Sequence, residues 1–472
     1  MATWAPPTPS TTGTGLDRYF HITERGSSTR TEILAGVTTW LTMAYILFVN
    51  PQILGTLPDA TGNFVNGGAQ FDAAPVAAVT ALVAALLCLA MGLYTNYPFA
   101  MAAGLGLNAF VTFTLVAQFG MTWPQAMGVI VLEGLIIALL VLTGFRVAIL
   151  NAIPMDLKRA IGIGIGLFIA LIGLVNAGIV VHPEAGTIIS LRPDLTTPQI
   201  LVFVIGFFVT AGLVARRMKG ALLIGILFTT VLAIIFNAFE DGTLWPPGVA
   251  EWPDQIAAVP DLSMVGQFSL SVFDIGFWTA AALIISVMLS DFFDTMGTVI
   301  GVGGEAGLLD KEGKLPGINR VLLVDSLGAA AGGAASASSN TTYIESASGV
   351  AEGGRTGLTA VVVGVLFLLA MFLSPIAGII PPEATAGVLV IVGYFMMTIV
   401  RDINWTDPGI GIPALLTIIV QPFTFSITNG VGAGFVAYTL IQILRGRARD
   451  VHWLMYLVSA IFIWYFFRGL VR

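Results

Sequence analysis

Long apolar stretches separated by short polar ones run through almost the whole chain, and their lengths give the first assignment. Apolar segments fall at about 32–54, 73–94, 99–118, 124–144, 157–181, 197–217 and 219–238. After a polar loop they resume at 270–300, 318–336, 338–352, 355–380 and 383–400. The C-terminal part is less regular: 408–444 is interrupted near Pro422 and Asn429–Gly434, and 451–469 follows it. An apolar run of about 20 residues crosses a bilayer as a helix. The pattern therefore predicts an all-α polytopic membrane protein with about 14 transmembrane segments. Seven segments, a loop and seven or eight more also fit two inverted repeats, a common carrier plan with its site between the repeats near the midplane.

Two segments make poor spans. Residues 97–118, "YPFAMAAGLGLNAFVTFTLVAQ", are broken by Pro98, Gly104 and Gly106, and residues 338–352 are polar and bounded by glycines. They are the third segment of each half. Interrupted segments at matching positions point to a carrier's binding site, because non-helical backbone survives at membrane depth only inside protein or beside a wet cavity.

Composition agrees. Of 472 residues, 56% are apolar and 10% charged, and mean hydropathy is +0.92; a soluble domain carries about a quarter charged residues. Residues 1–30 are polar, with Pro6, Pro7 and Pro9, and read as a flexible cytoplasmic tail. Basic clusters give the orientation: Arg18, Arg25 and Arg30; Arg146, Lys158 and Arg159; Arg216, Arg217 and Lys219; Lys311, Lys314 and Arg320; then Arg355 and Arg401. The loop at 239–268 carries Glu240, Asp241, Glu251, Asp254 and Asp261 without lysine or arginine. Counting from a cytoplasmic N-terminus, every one of these clusters lands inside and the acidic loop outside, as expected for a multi-pass protein of the plasma (inner) membrane. The single cysteine, Cys88, and the scattered His21, His182 and His452 provide no metal-ligand spacing. No cofactor and no nucleic-acid partner is expected; membrane lipid is.

The chemistry concentrates in few residues. Glu345, in "SASSNTTYIESASGV", is a carboxylate in a polar, poorly helical segment flanked by apolar runs, and acids at membrane depth mark pathways or relays. A solvated loop would bring more charge. Thr342, Ile344 and Ser346 flank Glu345 and are grouped with it as substrate contacts. In "SDFFDTMGT", Asp291 and Asp294 are three apart and share a helix face with Thr295 and Thr298. Two ionised acids so placed repel, which suits the pair to proton coupling together with Glu345; capping a helix or pairing with a loop arginine is the competing role. Phe292 and Phe293 offer a stacking surface, and Asn108 in "GLGLNAF" provides donor and acceptor for a heterocycle edge. Glu133 and Asp325 are further intramembrane acids whose role, packing or transport, stays open. The run Gly162–Gly166 reads as close helix packing rather than a dinucleotide fingerprint. With no lysine or arginine near these residues, a neutral solute or a cation fits better than an anion.

The stretches "ILAGVTTWLTMAYILFVNP" (33–51), "AMAAGLGLNAF" (100–110), "SDFFDTMGTVIGVGGEAGLLD" (290–310) and "TTYIESASGVAEGGRTGLT" (341–359) resemble the AzgA-like purine permeases, the adenine/guanine/hypoxanthine branch of the nucleobase–cation symporters. The likeness covers nearly the whole chain from about residue 16. Upstream of the tenth motif "SASSNTT" replaces a more threonine-rich form, and "AMAAG" replaces a proline-containing one; both bear on preference among purines. The resemblance implies a uracil-permease-like fold of fourteen spans in two inverted repeats of seven, with spans one to four and eight to eleven forming a core and the others a gate. It implies domain boundaries at 31–144 and 269–380 (core), 145–240 and 381–472 (gate), and 241–268 (extracellular loop). It also implies that segments three and ten each combine a strand with a half-helix, that Asn108, Asp291 and Glu345 bind the purine, and that Asp294 lies beside them.

The expectation is therefore proton-coupled purine uptake by an elevator-like movement of core against gate, with a homodimer compatible with the fold. A carrier of another nucleobase, uracil or xanthine, and a channel are the rival readings. An enzyme is not expected, since no nucleophile triad or phosphate loop is visible.

Overall fold

The computed structural model describes residues 15–143, 153–183, 188–253, 255–310 and 314–467. Arg146, Asp254 and Lys311, used above for orientation, lie outside the described residues. Among those described, nine helical segments are long and apolar enough to cross a membrane, and four shorter apolar ones accompany them.

The N-terminal part holds α1 (Gly15–Phe20), α2 (Thr29–Met43), α3 (Ile46–Leu54) and α4 (Ala73–Ala90). The short strand β1 (Met101–Ala103) leads into α5 (Leu105–Ala109), which runs on as a wider turn to Gln118, and then α6 (Trp123–Leu142). Next come α7 (Met155–Asn176), a small hairpin of β2 (Val180–Val181) and β3 (Ser190–Leu191), α8 (Pro198–Ala215) and α9 (Ala221–Phe239). After the acidic loop follow α10 (Phe277–Glu305), α11 (Ile318–Ala334), β4 (Asn340–Thr342) and α12 (Ser346–Ala351). The chain ends with α13 (Gly357–Ala370), α14 (Pro375–Gly378), α15 (Pro382–Met397), α16 (Pro408–Phe423), α17 (Ile427–Leu444) and α18 (Trp453–Phe467).

Helix starts follow local chemistry. Thr122 and Gln125 form a reciprocal capping box at α6, and Asp72, Thr356, Asp407 and Ser426 accept backbone N–H groups at α4, α13, α16 and α17. Helices then approach closely wherever a side chain would not fit. A Cβ on Gly134 would lie 2.3 Å from Ala330 N, which lets α6 touch α11. Within the glycine run, one on Gly166 would lie 2.5 Å from Met396 Cβ, so α7 packs tightly on α15. Large apolar side chains such as Leu139, Leu142, Phe208 and Ile235 stay exposed on outer faces, as a lipid solvent requires.

From Gly15 onward the stretch read as a tail is folded. Phe20 and Ile22 are buried against Leu358, and the Arg25 guanidinium donates to Asn96 O and Arg355 O. The acidic loop also adheres to the protein, with Ala258 N donating to Phe372 O and Gly266 N to Ala334 O.

The two interrupted segments meet. β1 and β4 pair antiparallel in the register Met101↔Thr342, Ala102↔Thr341, Ala103↔Asn340. The ladder extends one residue each way, with Tyr343 N donating to Ala100 O and Gly104 N to Ser339 O, both at 2.9 Å. Unwound backbone at membrane depth is thus satisfied by its counterpart. A cysteine helps: Cys88 Sγ accepts from Met101 N at 3.1 Å and donates to Met101 O at 3.3 Å.

Candidate functional site

The site is built where α10 and the β4–α12 segment lie beside α2. Position along α10 sorts the two aspartates. Asp291 is fully buried, whereas Asp294, Gly297 and Gly301 form an exposed stripe one turn apart. Ile344 stands across this stripe: it is 55% exposed, and its Cδ1 is 4.0 Å from where a Cβ on Gly301 would be. Asp294 interacts electrostatically with both Asp325 and Glu345. An open groove therefore runs between α10 and the tenth segment, with carboxylates on both walls.

Glu345 is held from the first span. Tyr45, 1% exposed at the break between α2 and α3, donates its hydroxyl to Glu345 Oε1 at 2.7 Å. One turn away Thr42 Oγ and Ser348 Oγ share a hydrogen bond of 2.8 Å. Gly349 makes the approach feasible, because a Cβ there would sit 2.1 Å from Thr39 Oγ. On the far side Tyr343 donates its hydroxyl to Ala103 O, tying the segment to β1.

Asp325 anchors the strand rather than lining the groove. It is fully buried; its Oδ1 accepts from Thr342 N at 3.1 Å and Thr342 Oγ at 3.0 Å, and its Oδ2 from Thr295 Oγ at 2.8 Å. Thr295 in turn meets Thr341 Oγ at 2.8 Å. One carboxylate thus joins α10, α11 and β4.

The residues nominated from sequence divide accordingly. Glu345, Ile344 and Asp294 share the groove. Thr342 is buried and committed to Asp325, and Ser346 is buried and accepts from Ala100 N at 2.9 Å. Phe292 is 4% exposed, so its ring is held in the interior. Asn108 is fully buried on α5, with both amide atoms lacking a partner among the described residues. An orphaned buried amide is costly, which makes Asn108 a donor–acceptor pair in waiting. Glu133 is buried in α6 beside the α11 contact.

Sequence reasoning missed Tyr45 and Glu32. Thr38, Thr42 and Tyr45 recur at helical spacing within an apolar span, and that polar stripe was the available signal. Glu32 is fully buried and accepts from Arg355 N, Thr356 N and Thr359 Oγ, fixing the start of α13.

Residues 30–432 match the model of a permease family. The chain belongs to this family. Its relatives span its full length: the adenine permease AdeP of Escherichia coli is 42% identical over 97% of both chains. The guanine/hypoxanthine permease PbuG of Bacillus subtilis is 39% identical over 96% of this chain and 99% of its own. The permease also shares its fold with the transmembrane domain of the cyanobacterial bicarbonate transporter BicA (TM-score 0.57, 13% identity, 86% of this chain and 97% of that one). Murine Slc26a9, an anion transporter, is similar at a TM-score of 0.59 and 12% identity, covering 94% of this chain and 74% of that one. At such identities the likeness concerns fold alone. The protein is thus a multi-pass membrane permease and not an enzyme, and the resemblance to the purine branch agrees with its full-length relatives.

Proposed function

We propose that this permease is a secondary active carrier that imports purine nucleobases, adenine, guanine or hypoxanthine, together with protons. The observation that carries the reading is the groove between α10 and the tenth segment, with Asp294 and Glu345 on its walls and a further acid as neighbour. The carboxylates of Asp294 and Glu345, which make no ion pair with a lysine or arginine among the described residues, suit the N–H-bearing edge of a neutral ring, not an anion. In this reading Glu345 accepts from ring N–H groups, and the orphaned amide of Asn108 meets the opposite edge. Asp294 carries the coupling proton, with Asp291 one turn along the same helix.

Coupling follows from desolvation. Sealing an ionised carboxylate away from water costs several kcal/mol. Closure loaded with both proton and purine avoids that cost, and closure with neither does not. The paired strands, each followed by a short helix, support two inverted repeats of seven spans, with α18 as a further C-terminal segment. Core and gate moving as in an elevator, an inner-membrane location with the N-terminus inside, and a homodimer complete the proposal.

Uptake of labelled hypoxanthine by cells lacking their own purine carriers tests it. Adenine and guanine are expected to compete, uracil and xanthine not, and a protonophore is expected to abolish accumulation. Competition by uracil or xanthine alone, or flux that neither saturates nor shows counterflow, overturns the reading.

A further inference from the structure

Tyr45 lies outside the residues that face the groove, yet its hydroxyl is committed to the Glu345 carboxylate there, at the residue that precedes α12. Three features make this bond a device of the fold. First, Tyr45 stands where the first span is interrupted: α2 ends at Met43, α3 starts at Ile46, and Pro51 within α3 leaves its backbone unable to donate to the preceding turn. Second, Ala35, Thr39, Thr42 and Tyr45 form one helical stripe, and against it lie Gly349, Ser348 and Glu345 in reverse order. The absence of a side chain at Gly349 brings the two backbones near enough for a phenol to reach the carboxylate. Third, Tyr45 is 1% exposed, so its hydroxyl has no water to turn to when the carboxylate moves. Tyr45 takes Oε1 and so fixes the carboxylate plane, which sets the direction in which Oε2 is presented to a ligand.

We infer that Tyr45 is a positioning residue for substrate recognition: its hydroxyl fixes the rotamer of Glu345 so that the other carboxylate oxygen meets the ring N–H of the bound base. The inference rests on the proposed purine site. A hydrogen bond to a charged group held in place before binding also spares the ordering of a flexible side chain on association. The same bond links α2 to the tenth segment, so ligand contact at Glu345 is transmitted to the first span.

The test uses the full-length protein in proteoliposomes, with adenine, guanine and hypoxanthine each as probe. Tyr45→Phe keeps the ring and its packing and removes only the hydroxyl. It is expected to raise KM about tenfold or more with Vmax changed less than about twofold, the signature of lost binding rather than lost folding. In the Glu345→Gln background the same substitution is expected to change KM by less than about twofold, because the hydroxyl acts through the carboxylate. Difference infrared spectra provide a readout independent of affinity: the carboxylate band absent from Glu345→Gln shifts in Tyr45→Phe. Wild-type KM in Tyr45→Phe, an equal loss in both backgrounds, or an unshifted band overturns the inference while leaving the purine site standing. Wild-type KM in Glu345→Gln overturns the site itself and the inference with it.

Discussion

Asp325 offers the sharpest separation between an acid that shapes the site and an acid that works in it. Among the described residues its two oxygens accept from Thr342 N, Thr342 Oγ and Thr295 Oγ. Asp325→Ala leaves all three donors without their acceptor, although Thr295 Oγ can turn to Thr341. Side-chain hydrogen bonds in membrane proteins contribute about 0.6 kcal/mol on average and up to about 1.7, so Ala is expected to cost about 2–5 kcal/mol of stability. Asn keeps one carbonyl oxygen for both Thr342 bonds, and its amide donates to Thr295 Oγ, whose hydroxyl then turns to Thr341. The expected cost is about 1 kcal/mol or less, on the same scale. Equilibrium unfolding in mixed micelles gives both values, and uptake of labelled hypoxanthine by Asp325→Asn gives the functional control. The reasoning is refuted if Asn is as destabilising as Ala. It is equally refuted if Asn leaves stability unchanged but abolishes uptake, since Asp325 would then be part of the transport chemistry.

Two further outcomes follow from particular contacts. A Cβ on Gly349 would lie 2.1 Å from Thr39 Oγ and 2.6 Å from Ala35 O. Gly349→Val is therefore expected to lose about 1–3 kcal/mol by overpacking, whereas Gly162→Ala, with nothing within 4 Å, should stay within about 1 kcal/mol in the same unfolding measurement, the propensity gain of an alanine included. Asp294→Asn removes the carboxyl that holds the proton in the proposed coupling. Accumulation against a gradient should be lost while purine counterflow persists; retained accumulation would remove Asp294 from the coupling.

The plan of the chain was legible because lipid imposes a strict grammar on length and polarity. The stretches 32–54, 73–94 and 124–144 correspond to Thr29–Leu54, Ala73–Thr95 and Trp123–Leu142. The two interrupted segments were visible because Pro98, Gly104 and the hydroxyl-rich run before Glu345 cannot make good spans; their pairing register was not, since β1 and β4 are 237 or more residues apart in sequence. Elsewhere end signals misled. The eighth segment was placed at 270–300, but a 3-10 turn over Ser271–Ile275 and Gly276 at φ 95° delay α10 to Phe277. The break in the tail falls at 424–426, beside Pro422, where Phe425 adopts φ 49° and Ser426 caps α17; Asn429–Gly434 lies inside that helix. Within the site, spacing put Asp291 and Asp294 on one face. Residues three apart nonetheless differ by about 60° around a helix, enough for one to be sealed and the other open. Tyr45 and Glu32 escaped notice because their importance comes from partners about 300 residues away.

The most direct test of a purine seated between α10 and the tenth segment is chemical protection at Ile344. Cys88 is buried and is the only cysteine, so Cys88→Ser with Ile344→Cys presents one thiol to a membrane-permeant maleimide. A second thiol at Ile188, 83% exposed in the β2–β3 hairpin, serves as reference. Saturating adenine, guanine or hypoxanthine is expected to slow labelling at position 344 and leave position 188 unaffected, with uracil slowing neither. Equal labelling at 344 with and without every one of the three purines would contradict the account.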